Sequence, residues 1–255
     1  MKKDKMIDER NKPLYDRVRE HYKVNLKKSD DHSWGSHIEK DAVIISHSKT
    51  NYPIASFTHE LLHIDTQLNG YKRIRAGISL NKETHKHLGR LCTCIDNEFQ
   101  HHKMYDKFVG LKFPANQFYN DLDTETIPYL EKIVKSSSET FISLSVDYLT
   151  LIAPGGVIPS NKLEELQQSF YNYDKGKYRD KFQSIDHIIS DWKADGSCDA
   201  EKYIIRFFQN LDAGQTWISY ADNLDKGVSA DNFPSTGFYT DSSFTLEELA
   251  KAFGQ

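Results

Sequence analysis

The segment Thr58-His59-Glu60-Leu61-Leu62-His63 sets two histidines four residues apart, with a glutamate directly after the first. On a helix, side chains at i and i+4 share a face and stand about 6 Å apart, so both imidazoles can turn toward one ion. Glu60 is rotated about 100° from His59, near enough to reach a water on that ion without becoming a ligand. The chemistry this suits is metal-assisted hydrolysis, in which the ion makes a water acidic and Glu60 takes the proton as general base. Ile54, Phe57, Leu61, Leu62, Ile64 and Leu68 surround the polar trio, so the helix is expected to be buried. Two imidazoles and a carboxylate buried without partners would be costly, and a bound metal removes that cost.

A catalytic zinc needs three protein ligands and an open position for water. The extended pattern HExxHxxGxxH is excluded, because Thr66 and Asn69 occupy the required glycine and third-histidine positions. The downstream candidates are His85, His87, Asp96, Glu98, His101 and His102. Glu98 is the best choice: it lies in the middle of a second helix that can pack antiparallel to the first, with Cys94 and His102 one turn away on its face. His101 is expected to face solvent, and His85 and His87 to lie on the surface of that helix's first turn. Cys92 and Cys94 read as small core residues. A Cys94 thiolate, however, could become a fourth ligand and close the site.

Several elements must position these residues. Leu14, Val18 and Tyr22 recur at helical spacing over Pro13 to Lys23, and Asp30, Asp31, Ser33 and Gly35 then read as a turn. Ala42 to Ser46 is short and β-branched, as a strand is. Asn51 and Pro53 open the metal-clamp helix, and Asn69-Gly70 stops it. Asn81 caps the second long helix, which runs through Leu88, Leu91, Ile95, Phe99 and Met104 to Gly110. Beyond Pro114 the chain reads as successive helices: one after Thr124, one capped by Ser136-x-x-Glu139 and ending at Pro154-Gly155-Gly156, and one from Ser160 or Asn161. Lys177 to Lys193 makes a further helix, Ser197 opens another, and Thr245-x-x-Glu248 caps a short last one. Ala221 to Ser243 is polar and weakly patterned. The expected fold is α+β, with a metal-binding half over residues 1–115, an all-helical half over 116–255, and a cleft between them.

Composition narrows the class. In 255 residues, 38% hydrophobic side chains with 12% aromatics suffice for a proper core. A formal charge of −4 argues against nucleic acid as the main partner. The basic N-terminus lacks the apolar segment of a signal peptide, no run is long enough to cross a bilayer, and three cysteines make no disulfide framework. Together these features place the chain in the cytoplasm.

HELLH at His59 to His63, followed by Asn97-Glu98 on a second helix, resembles the gluzincin branch of the zincin metallopeptidases, over about residues 40 to 105. The resemblance implies Zn2+ held by His59, His63 and Glu98, Glu60 as catalytic base, and His102 as a group that orients a ligating histidine. It implies that Ala42 to Ser46 is a sheet edge along which an extended peptide or protein substrate lies. A His or Tyr donor to the oxyanion is usual in this group, and His187, Tyr148 and Tyr220 are the options. The function expected is zinc-dependent peptide-bond hydrolysis. The alternatives are a regulatory zinc-binding protein with a closed site and a metal-dependent hydrolase of another bond.

Overall fold

Pro53 occupies the first turn of the metal-clamp helix, where its missing N–H costs nothing, and Gly70 at φ +102° ends it. The end is a Schellman motif: Gly70 N–H donates to the Gln67 carbonyl at 2.9 Å and Tyr71 N–H to the Thr66 carbonyl at 3.1 Å. In this computed structural model, which describes residues 3–29, 33–119, 125–136, 139–156, 158–220, 237–240 and 248, the elements follow in the order α1 (Lys12–His21), β1 (Lys23–Lys28), β2 (Gly35–Glu39), β3 (Ala42–His47), α2 (Pro53–Leu68), β4 (Ile74–Ser79), α3 (Lys82–Gly110), α4 (Thr126–Ile133), α5 (Phe141–Leu151), α6 (Ser160–Tyr171), the single turn α7 (Tyr173–Gly176), α8 (Arg179–Ala194), α9 (Glu201–Asn210), β5 (Thr216–Tyr220) and β6 (Gly237–Tyr239). The fold is α+β. Among the described residues no helix is long and apolar enough to cross a membrane. The helix expected to be capped at Thr245, most of the 221–243 segment, Thr124 and the Asp30-Asp31 part of the turn lie outside the described residues.

The chain forms two compact units, and neither respects a boundary at residue 115. The first comprises residues 1–71, 100–126 and 153–158, the second 72–99, 127–152 and 159–255. Helix α3 begins in the second and ends in the first.

In the first unit, β1, β3 and β2 form a three-stranded sheet in that order, β1 parallel and β2 antiparallel to β3. Val43 and Ile45 of β3 are fully buried while their neighbours are not, the alternation of a strand with one face on a core. That core joins them to Val18 of α1, Val24 of β1 and Phe57, Leu61 and Ile64 of α2. Two expectations are corrected here. The stretch around Ser33 and Gly35 leads into a strand, β2, rather than a turn. And β3 is the central strand: Ile44 has Asn25 on one side and His37 on the other. Its backbone groups are therefore used on both sides, and β2 holds the edge antiparallel to it.

The second unit contains strands as well as helices, so the C-terminal half is not all-helical. β5 pairs antiparallel with both β4 and β6, with Ile78 opposite Trp217. Gly77 in β4 is where this sheet approaches α3: a Cβ there would lie 2.9 Å from the Trp217 carbonyl and 3.0 Å from a Leu88 methyl. Asn81 caps α3 as expected, its Oδ1 accepting from the Glu83 and Thr84 N–H groups at 3.0 and 3.1 Å. Helix α5 is capped by Thr140, whose Oγ1 accepts from Ser143 N–H, not by the Ser136 box. Tyr148, Phe170 and Phe182 interlock at its centre, and Trp192 Nε1 donates to the Phe99 carbonyl at 2.8 Å.

Candidate metal centre

Helix α2 is held in the first unit by polar ties as well as by its apolar stripe. Thr58 Oγ1 accepts from Asn11 Nδ2 at 2.9 Å, and both residues are fully buried. Asp65, two residues past His63, is buried, forms an ion pair with Arg17 of α1 at 3.1 Å and accepts from Lys107 of α3 at 3.0 Å. The two cations offset the desolvation of its carboxylate. Ala55 and Leu62 of α2 share a core with Met104 and Phe108 of α3 and with Phe113 and Phe118 beyond it. These contacts fix how the C-terminal part of α3 is rotated against α2.

That rotation presents His101. His59, His63 and His101 each offer one ring nitrogen to a common space, the three atoms all within 4.8 Å of one another. The Nε2 atoms of His59 and His63 are 3.1 Å apart. Two ligands on a tetrahedral ion at about 2.0–2.1 Å stand about 3.3 Å apart, so this pair is already near the spacing a zinc would need. His63 Nδ1 faces Gln100 Oε1 at 3.2 Å. With Nδ1–H donating to that amide oxygen, the lone pair lies on Nε2, toward the shared space.

Burial, and then the neighbouring His101 and His63, hold the His59 imidazole well below its ordinary range, with the Phe118 backbone offsetting this only slightly. His59 is therefore neutral at neutral pH, the form that binds a metal. Its Nδ1 is enclosed and has no hydrogen bond of good geometry among the described residues. Aromatic rings wall the group. The Phe118 ring centroid is 4.6 Å from that of His59 and 5.4 Å from that of His101, and Tyr119 stands 5.3 Å from His101. Gly155, at φ +68°, backs Phe118 so closely that a Cβ would lie 3.0 Å from it and 2.7 Å from Tyr105. Three converging imidazoles in an apolar wall suit a borderline-soft divalent ion such as Zn2+.

The two histidines of the motif meet as their spacing implied, and Glu60 beside them is buried. The third member differs from expectation. His101, expected at the surface, is 3% exposed and belongs to the group, whereas Glu98 is outside it. Glu98 is also buried, and its Oε1 accepts from Asn97 Nδ2 at 3.2 Å. His102 is buried next to His101 and is not one of the three, and the His63 ring is met by Gln100, a residue the motif does not single out. Its one signal was its place directly before His101.

His187 lies exposed on α8 and is likewise outside the group. The hydroxyls of the other two oxyanion options are engaged within the second unit: Tyr148 donates to Asp186 at 2.7 Å, and Tyr220 to Glu201. Cys94 is not among the three residues of the group. Its Sγ faces the Val146 carbonyl at 3.6 Å, and burial, with the Glu98 carboxylate nearby, pushes the thiol far up, so it is protonated at neutral pH. His87 pairs with Glu83 on the outer face of α3 at 3.0 Å. No protein-family model, curated protein or solved structure matches the chain.

Proposed function

We propose that this chain is a zinc-dependent hydrolase acting on peptide bonds, with His59, His63 and His101 as metal ligands and Glu60 as general base. The observation that carries the reading is the convergence of His101 on the two histidines of an HExxH helix, with the carboxylate next to His59 left out of the donor set. A structural site has no use for such a carboxylate, whereas hydrolysis needs one beside the reacting water.

Zn2+ bound there would supply Lewis acidity and a water acidic enough to lose its proton near neutral pH. The rest falls to the chain. Glu60 takes that proton and returns it to the leaving amine. Gln100 fixes the tautomer and tilt of His63. Ser36 of β2 donates to the Glu60 carbonyl at 3.2 Å, which sets the β2 edge beside the turn of α2 that bears the base. An extended peptide adding to that edge through backbone hydrogen bonds is the substrate orientation this favours, in place of the β3 edge.

The test is a metal count and a peptide-cleavage assay on wild type and Glu60→Gln. Wild type is expected to hold one zinc per chain and to lose activity on chelation. Glu60→Gln should keep the zinc and the fold while its turnover falls by about two to four orders of magnitude, the usual worth of a general base. Stoichiometric zinc with no hydrolysis by wild type would support a regulatory zinc protein instead.

A further inference from the structure

Besides the metal centre, the first unit holds a cleft of about 540 Å3, lined by residues of the single turn Lys3–Met6, of the C-terminal half of α1 and of the start of β1. The volume lies within the roughly 300–1,000 Å3 of small-ligand sites. Tyr15 and Val24, both buried, form its floor. Asp4, Arg19, Tyr22, Lys23 and Asn25 stand around it.

The charges here are not compensated within the fold. Arg19 and Lys23 are exposed, and neither has a carboxylate partner among the described residues. Of the acids on α1, Asp16 is paired with Lys12 at 2.5 Å and Glu20 is outside the lining. The Arg19 guanidinium lies over the Tyr15 ring instead, 5.5 Å from its centroid. That contact uses one flat face of the guanidinium and leaves the N–H donors along its edge for an anion. Asp4 is exposed and has no cation partner among the described residues, so the lining carries two cations against one acid. Tyr22 and Asn25 are half-buried and add a phenol ring and an amide with both donors and an acceptor. Lys23 and Asn25, two apart on β1, turn to the same side of the sheet.

Each of these groups has a counterpart in one class of ligand. A phosphate monoester takes a guanidinium fork and an ammonium together. A carboxylate accepts from ribose hydroxyls, and a phenol ring and an amide suit the face and the edge of a base. We propose that this cleft binds a nucleoside monophosphate, its phosphate at Arg19 and Lys23, its ribose at Asp4 and its base at Tyr22 and Asn25. The site is independent of the metal reading, because none of the three histidines lines it.

The test is calorimetric titration of the full chain with each of the four ribonucleoside monophosphates, after treatment with a chelator so that no bound metal takes up the phosphate. At least one should bind, and more weakly as salt is raised, since both cations are exposed. The matching nucleoside and ribose phosphate should each bind at least about tenfold more weakly, because the first lacks the charge-assisted contacts and the second the base. Arg19→Gln and Lys23→Gln should each weaken the nucleotide at least about tenfold and leave the affinity for the nucleoside unchanged. No binding at millimolar nucleotide, or equal affinity for the nucleoside, would overturn the proposal. Ribose phosphate or inorganic phosphate binding as tightly as the nucleotide would reduce the cleft to an anion site and overturn it too. The ligand series is run on the unmodified protein, so a variant that fails to fold does not spare it.

Discussion

Replacing His101 by Ala should abolish the stabilisation of this protein by zinc, whereas Glu98→Gln should leave it intact. The size follows from the donor set. Structural zinc sites bind with about 10–16 kcal/mol; on that scale one of three ligands carries about 3–5 kcal/mol, and its loss raises Kd by about 10²–10⁴. With free zinc at 100 times the wild-type Kd, binding stabilises the fold by about 2.7 kcal/mol; in the variant at the same zinc, about 0.4 kcal/mol or less remains. For a chain of this size the wild-type effect is a rise in Tm of about 5–10 °C, and the variant's about 1 °C. Truncating a side chain that is 3% exposed and packed against Phe118 and Tyr119 also leaves a cavity. That cost cancels when each variant is compared with itself, zinc-loaded against chelator-treated, by scanning calorimetry. A full zinc-dependent shift in His101→Ala, or its disappearance in Glu98→Gln, would refute the three-histidine donor set and restore the glutamate expected from the motif.

Gln100→Leu removes the acceptor on His63 Nδ1 and should weaken zinc binding about 10- to 100-fold without abolishing it, as read by competition with a chromogenic chelator. In the metal-free protein, the depressed His59 makes stability fall as pH drops below about 6.5. There the unfolded chain takes up a proton that the folded one refuses, at up to about 1.4 kcal/mol per pH unit. His47, lowered mainly by burial, acts in the same direction, so melts at pH 7.5, 6.5 and 5.5 should flatten only in part in His59→Asn. Alkylation of the native protein at pH 8 should mark Cys198 alone, because burial pushes Cys92 up to about 12 and Cys94 further still; labelling of all three before unfolding would contradict that packing.

The residues that act locally were legible in the sequence. His59 and His63 meet because four residues make about one helical turn, whatever surrounds them. The stop at Asn69-Gly70 and the cap at Asn81 are settled by backbone conformation and by hydrogen bonds that span three residues or so. That His101 joins the two histidines, and Glu98 does not, was not legible. The two lie three residues apart on α3, about 60° apart in phase, and both are buried. Which one turns toward α2 depends on how α3 is rotated, and that is set by Leu62, Met104 and Phe108 in a shared core and by Lys107 on Asp65. The same holds for the sheets. β3 looks like an edge or a centre equally well in sequence, and only its pairing with β1 and β2 puts it in the middle. β5 finds β4 across more than a hundred residues, so the strands of the C-terminal half answer to a partner that no local pattern names. Spacing along one helix decided which residues could do chemistry here; packing between helices decided which of them came together.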